Sequence, residues 1–140
     1  MKWNALVPEL IVTDLEKSYY FWVNILGFSV KYQRTEDKFM YLELNGVQFM
    51  LEELQGDQWV TGELNYPLGR GINFQLEVKQ LDDILNRLHK AQWSIFSGLE
   101  ERWYRAENVE HGQKQFLVQD PDGYLLRIIA VIGDRAISKI

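Results

Sequence analysis

The chain has 140 residues, of which 46% are apolar and 14% aromatic, a composition that supplies a packed core and excludes intrinsic disorder. A net charge of −5 provides no basic face for nucleic acid, and the absence of cysteine excludes disulfides, thiolate metal clusters and a cysteine nucleophile. No apolar run approaches the ~18 residues of a membrane span, and the start lacks a signal peptide, so we expect a cytoplasmic protein without nucleic-acid or membrane partners.

Two stretches about 66 residues apart share one plan, an apolar run that turns into a helix at 10–15 and again at 76–81. Each is followed by a hairpin with a turn dipeptide, Asn45-Gly46 in the first case and Asp122-Gly123 in the second. A repeated unit of this kind predicts two similar modules that share one core. We therefore expect a single domain, 1–140, made of modules 5–53 and 71–131 joined by a loop, 54–70.

The first module is expected to begin with a strand at 5–12. Thr13 and Glu16 have the spacing of a capping box, and Gly27 is placed to end the helix that follows. The apolar face of that helix is expected to consist of Leu15, Tyr19, Trp22, Val23 and Leu26. Further strands are predicted at 28–33, 38–44 and 47–53.

The second module is expected to open with a strand at 71–78, whose inward face is Ile72, Phe74, Leu76 and Val78. A helix follows, with its apolar face on Leu81, Ile84, Leu85, Leu88 and Ala91. Residues 93–110 are less regular and are interpreted as one strand plus an excursion. Strands at 113–119 and 124–131 flank the turn 120–123, and 133–140 is expected to be a short tail.

Alternation of side chains divides each predicted strand into an apolar face and an opposite, largely polar and aromatic face. The opposite face carries Val7, Glu9, Ile11, Phe39, Tyr41, Glu43, Gln48, Met50, Glu52, Asn73, Gln75, Glu77, Leu125, Arg127 and Ile129. Such a face is either a solvated outer surface or the lining of a cup that holds a small molecule. Two curved modules that face each other favour the cup.

Three stretches, 12–28, 49–52 and 116–127, resemble the vicinal-oxygen-chelate superfamily of glyoxalase I, extradiol dioxygenases and the fosfomycin- and bleomycin-resistance proteins. The most specific of them is the closing hairpin around Asp120-Pro121-Asp122-Gly123. The resemblance covers nearly the whole chain. It implies an α+β fold of two tandem βαβββ modules that form a cupped mixed sheet, usually in a dimer.

Metal-using members of that superfamily hold a divalent ion with one residue from the first and one from the last strand of each module. The resemblance matches these positions to Val7, Glu52, Asn73 and Arg127. Only Glu52 is an ordinary ligand, whereas a catalytic ion generally needs about three protein ligands. The resemblance therefore implies no metal and no other cofactor.

A lost metal site with a glutamate and a closing-strand arginine resembles the bleomycin-resistance proteins, in which a dimer sequesters a cationic antibiotic. The resemblance implies a homodimer that binds a small molecule, cationic in that group, and has no catalytic residues. The candidate ligand-binding residues are Glu9, Phe39, Tyr41, Gln48, Glu52, Asn73, Gln75, Trp103 and Arg127. Two alternatives stay open: a superfamily lyase, isomerase or dioxygenase that uses another site or a shifted metal, and a scaffold or regulatory partner whose cup is empty.

Two further expectations concern individual side chains. Glu52 and Arg127 are expected to form an ion pair, which is compatible with ligand contact. Aromatic residues of the irregular segments either stack on a ligand or fill the core or a dimer contact; these are Trp59, Tyr66, Trp93, Trp103 and Tyr104.

Overall fold

The computed structural model describes residues 2–137, which form two four-stranded sheets with helices on one side of each. The first module contains β1 (Glu9–Val12), α1 (Leu15–Tyr19), a π-helical segment (Tyr20–Ile25), β2 (Ser29–Arg34), a 3₁₀ turn (Thr35–Asp37), β3 (Phe39–Leu44) and β4 (Val47–Glu53). The second contains β5 (Asn73–Glu77), α2 (Leu81–Lys90), β6 (Ile95–Ala106), β7 (Val109–Gln119) and β8 (Leu125–Ala136).

Sheet A has the strand order β1-β4-β3-β2, and sheet B has the equivalent order β5-β8-β7-β6. In each sheet the first strand is parallel to its neighbour, and the other pairings are antiparallel. This repeated βαβββ plan confirms the predicted α+β fold. The connection 54–70 contains neither helix nor strand.

One apolar core receives side chains from both sheets and both helices. Its centre is the indole of Trp22, which is fully buried against Phe49 at 5.0 Å between ring centroids. Phe49 in turn meets Phe74 of the other module edge-to-face at 5.2 Å. Because burial of a large apolar side chain contributes about 1.5–3 kcal/mol, this shared core holds the modules together.

Reciprocal hydrogen bonds also join the two modules. The amide of Thr13, which follows β1, donates to the Asp122 carboxylate of the second hairpin turn at 3.1 Å. The amide of Lys79, which follows β5, donates to Asn45 Oδ1 of the first hairpin turn, also at 3.1 Å. Each turn therefore holds the residue that follows the first strand of the other module, in a pseudo-twofold arrangement.

Asp120 anchors the second turn inside the protein. Its carboxylate accepts hydrogen bonds from the amides of Asp122 and Tyr124 at 2.9 Å and from Trp22 Nε1 at 3.2 Å. Burial nevertheless raises the pKa of Asp120 to about 7, and the nearby charge of Asp122 adds to the increase. The predicted turn is thus also a contact between modules.

The first helix differs from the prediction at its N-cap and in its period, whereas Gly27, with a φ of 95°, ends it as predicted. Asp14, not Thr13, is the N-cap, since its side chain accepts hydrogen bonds from the amides of Glu16 and Lys17. Thr13 instead forms a hydrogen bond with Asp122 of the other module. The helix widens into a π-helix after Tyr19, and this shift in period turns Phe21 and Ile25 toward the core. Tyr19, expected in the core, is 41% exposed.

The predicted limits of β6, β7 and β8 were wrong. Residues 95–106 form one continuous strand, which turns at Glu107 and returns as β7 from Val109. β8 runs on to Ala136, so 133–136 are strand and not tail, while 138–140 lie outside the described residues. The three strands extend past β5, where many of their residues are polar and the apolar alternation that reveals a strand is absent.

The opening strands are shorter than predicted. β1 begins at Glu9, because Pro8 cannot donate to a ladder, although its carbonyl accepts from the Met50 amide at 2.9 Å. β5 begins at Asn73, so Ile72 is not part of the inward face and is 55% exposed. In residues 2–137, no helix has the length and apolar character required to span a bilayer.

Candidate functional site

The side of sheet A that faces away from the core gathers most of the candidate residues of the first module. The register places Phe39 opposite Glu52, and Tyr41 opposite Met50, which itself lies opposite Glu9. Five candidates therefore share one surface, called here face A: Glu9, Phe39, Tyr41, Gln48 and Glu52.

An aromatic cluster occupies part of face A. Tyr32 of β2 stacks on Tyr41 with 5.3 Å between centroids and 18° between planes. Trp3 meets Tyr41 and Tyr32 edge-to-face at 5.1 and 5.9 Å, and the Arg34 guanidinium lies 4.0 Å from the Phe39 ring centroid. Trp3 keeps 57% of its surface exposed, so its ring also presents a face to solvent.

Gln48 fastens the N-terminal segment to this cluster. Its Oε1 accepts from the Tyr41 hydroxyl at 2.5 Å and from the amide of Asn4 at 2.9 Å. Its Nε2 donates to the Lys2 carbonyl at 2.7 Å and to Glu43 Oε2 at 2.6 Å. Because Gln48 is buried and fully engaged, it positions the aromatic residues of face A.

Two carboxylates lie beside the aromatic cluster without a cationic partner. The pKa of Glu9 is raised by desolvation and then by the charge of Glu52, and Arg34 opposes this only in part because it is paired with Asp37 at 2.8 Å. Glu52 accepts one long hydrogen bond, 3.4 Å, from Gln58 Nε2. Neither glutamate has an ion pair with any residue between 2 and 137. Face A is therefore aromatic and locally acidic.

The equivalent side of sheet B, called here face B, is lined mainly by glutamines. Gln113 Nε2 donates to Gln115 Oε1 at 2.9 Å and reaches Gln75 Oε1 at 3.4 Å. Tyr104 and Glu100 of β6 complete the network through Gln115. Face B holds three candidates, Asn73, Gln75 and Arg127, of which the first two are exposed.

Arg127 stands among these glutamines without a bond to any of them. Its Nε is buried and has no hydrogen-bond partner among the described residues. The expected ion pair with Glu52 does not form, since no contact of 4.0 Å or less joins them. The prediction of that pair was wrong because equivalent strands place the two side chains on separate sheets.

Trp103 does not join the candidate set. It pairs with Gly112, and its ring fills the space where a Cβ at that glycine would lie, within 2.6 Å. Tyr104, the next residue, is the one that reaches face B, because alternate residues point to opposite sides of the strand. Trp93 fills the space beside the first helix, 4.8 Å from the ring of Phe21.

A shallow groove of about 380 Å³ links the two modules. Its wall includes Gln48 from sheet A and both Asn73 and Gln75 from sheet B, with Leu6 and Pro8 between them. Candidates from the two modules thus meet along this groove, although Glu52 and Arg127 do not line it.

The family model of the Glyoxalase/Bleomycin resistance protein/Dioxygenase superfamily matches residues 5–128. The chain belongs to this superfamily. It is 29% identical over 138 residues to the rat glyoxalase domain-containing protein 4, covering 97% of this chain but only 43% of that protein. It is 26% identical over 131 residues to a bleomycin resistance protein of Geobacillus stearothermophilus, covering 86% of this chain and 91% of that protein.

Among solved structures, TioX from Micromonospora sp. ML1 aligns with a TM-score of 0.68 at 19% identity, over 98% of this chain and all of the other. At this identity the likeness concerns the fold, and it agrees with the two-module architecture described above.

The register corrects one position of the expected metal set of this superfamily. Glu9 in β1 and Gln75 in β5 are equivalent positions of the two modules. Glu9 pairs with Met50, and Gln75 pairs with Arg127. Met50, not Glu52, is therefore the first-module counterpart of Arg127. With Val7 and Asn73, the four positions then hold no carboxylate and no imidazole. This donor set does not fit a divalent ion. Among the described residues, no group of three or more His, Cys, Asp or Glu is arranged to hold one.

Sequence reasoning missed several side chains of the two faces. Trp3 precedes the first strand and reaches face A only because Gln48 holds the backbone on either side of it. Tyr32 reaches face A through a register shift in β2, and no turn residue in the sequence indicates that shift. Gln113 and Gln115 could have been assigned to one face from the sequence, since both lie in the predicted strand 113–119 at alternate positions that also include Gln119.

Proposed function

We propose that this chain is a small-molecule-binding protein that sequesters a cationic ligand against face A, in the manner implied by its bleomycin-resistance relatives. The observation that carries the proposal is the pair Glu9 and Glu52, two carboxylates that have no ion pair with any residue from 2 to 137. They lie beside an aromatic cluster whose exposed rings are those of Trp3 and Tyr32. A cation placed there gains Coulomb attraction from both glutamates and cation–π attraction from the rings.

The chemistry of the two outer faces supports binding rather than catalysis. The positions that hold a metal in superfamily enzymes carry Val7, Met50, Asn73 and Arg127, which do not form a donor set for a divalent ion. Neither histidine lies on face A: His89 is on α2, and His111 is bonded to Asp134 at 2.7 Å. Face A itself offers stacking surfaces, two acids and a rigid amide, which are features of a recognition site.

Isothermal titration calorimetry with bleomycin and with benzyltrimethylammonium tests the proposal. We expect the wild-type protein to bind both, and the double variant Glu9→Gln/Glu52→Gln to bind roughly tenfold or more weakly, because the charges are lost and the shape is kept. The matched control is Glu63→Gln/Glu107→Gln, which changes the net charge equally at exposed positions away from face A. Absence of heat with the wild type, or equal affinity in the Glu9/Glu52 variant, would overturn the proposal.

We further propose that the protein acts as a homodimer in the cytoplasm, as its resemblance to the bleomycin-resistance group implies. The exposed apolar residues of sheet B are compatible with a protein contact: Phe96, Leu99, Val131 and Ile132. Sedimentation velocity at micromolar concentration should give a mass of two chains. A single-chain mass at all concentrations would contradict the dimer without affecting the ligand proposal.

A further inference from the structure

We propose that Arg127 is the anchor for a carboxylate group of the bound small molecule, so that face B recognises an anionic group. The inference rests on the proposed function, which assigns face A to the ligand, and it adds face B and the chemical class of a second ligand group.

Arg127 lies near the start of β8, a central strand of sheet B. Gln75 of β5 lies opposite it on one side and Leu117 of β7 on the other. The side chain is half-buried, and within residues 2–137 its Nε has no accessible surface and no hydrogen-bond partner. A guanidinium is always charged in proteins, so burial without an acceptor is unfavourable.

No neighbour on face B supplies the missing acceptor. Gln75 Oε1 receives Gln113 Nε2, and Leu117 has no polar atom. Glu100 accepts from Gln115 Nε2 at 3.1 Å and lies 3.6 Å from Arg102. Glu77 is opposite Ile129, further along the strand, and makes no ion pair with Arg127.

Nε is out of reach of solvent, but the two terminal nitrogens of Arg127 are not buried in this way and make no hydrogen bond with residues 2–137, so a ligand carboxylate can bind them. Its two oxygens match the planar fork of a guanidinium, which binds carboxylates through two parallel hydrogen bonds. The exposed amide of Gln75 lies beside this position and offers a further donor. Together with the acidic, aromatic face A, Arg127 indicates a ligand that carries a cationic group and a separate carboxylate.

The test is a calorimetric titration with benzoate at constant ionic strength, with benzamide as the neutral analogue of equal shape. We expect the wild type to bind benzoate and not benzamide, and Arg127→Gln to lose roughly tenfold or more in affinity. Arg127→Lys keeps the charge but not the fork, and should bind with intermediate affinity. The control Arg102→Gln, at an exposed guanidinium already paired with Glu100, should bind like the wild type.

The inference is overturned if the wild type binds no benzoate, or if Arg127→Gln binds it as tightly as the wild type. Benzyltrimethylammonium, titrated into the same preparations, separates this failure from failure of the proposed function. Wild-type protein that binds the cation but not benzoate contradicts only the role of Arg127. Benzoate binding without cation binding contradicts only the role of face A.

Discussion

The two modules have the same strand order but differ in length and in the chemistry of their outer faces. In the first module, β3 and β4 have 6 and 7 residues, whereas in the second, β7 and β8 have 11 and 12. Face A is aromatic and acidic, and face B is built from glutamines around one arginine. The two modules have similar buried residues, but the chemistry of their outer faces differs.

This difference follows from where each residue packs. The residues at the shared core and at the reciprocal turns are held by contacts with the other module, so a change in one half disturbs both. The outer faces have no such constraint and differ freely. The predictions below first break the shared part and then distinguish the unlike parts.

The largest effect is expected for Trp22→Ala. The indole is fully buried between the modules and donates to Asp120 at 3.2 Å, so its removal leaves a cavity and an unsatisfied acceptor. We expect a loss of about 3–5 kcal/mol in the free energy of unfolding, measured by urea denaturation. Trp59→Ala, at a side chain 98% exposed, should change it by less than about 0.5 kcal/mol. Equal losses would contradict the shared core.

The next effect is a dependence of stability on pH through Asp120. Burial raises its pKa to about 7 in the folded state, above the usual value of 3.8. The stability that this group contributes is therefore complete below about pH 4 and is lost as the pH rises through about 7, a change of a few kcal/mol. Denaturation at pH 5 and pH 8 should reveal the decrease, and Asp120→Asn should reduce it. A decrease of the same size in that variant would refute the assignment.

The two reciprocal turn contacts should differ in strength. Thr13 makes two hydrogen bonds to the buried carboxylate of Asp122, whereas Lys79 makes one to the exposed amide of Asn45. Thr13→Val should cost about 1–2 kcal/mol, because a bond to a charged group is lost. Asn45→Gly, which tolerates the positive φ of 50°, should cost less than about 1 kcal/mol. The reverse order of the two losses, measured by thermal unfolding, would argue against this comparison.

The smallest effect concerns face A alone. A bound cation stabilises the charged form of Glu9, whose pKa is raised in the free protein, so protons and the cation compete. Affinity for benzyltrimethylammonium should fall by roughly three- to tenfold as the pH drops through that pKa. Glu9→Gln should remove most of this dependence in calorimetric titrations, and an unchanged dependence would assign it to another group.

The fold could be predicted from the sequence to a large extent because its signals are local. Asn45-Gly46 and Asp122-Gly123 mark the hairpins, and alternation assigned Tyr41, Gln48 and Gln75 to the correct faces. The distal parts of β6 to β8 escaped prediction, since many of their residues are polar and show no hydrophobic period.

The candidate site was predicted less completely because it depends on contacts distant in sequence. Trp3 reaches Tyr41 through Gln48, and a register shift decides that Tyr32 joins them. Matching to a family by sequence assigned Glu52 to the position equivalent to Arg127. Only the strand pairing identifies Met50 as the counterpart of Arg127. Parity determines the face of a strand but not which residues meet across two sheets.

The claim that the two faces bind unlike groups is tested most directly by amide chemical-shift mapping in isotope-labelled protein. Benzyltrimethylammonium should shift the resonances of face A around Tyr41 and Gln48, and benzoate those of face B around Gln75 and Arg127. Each probe should leave the other face unchanged. Shifts from both probes on the same face, or shifts confined to residues outside both, would contradict the account.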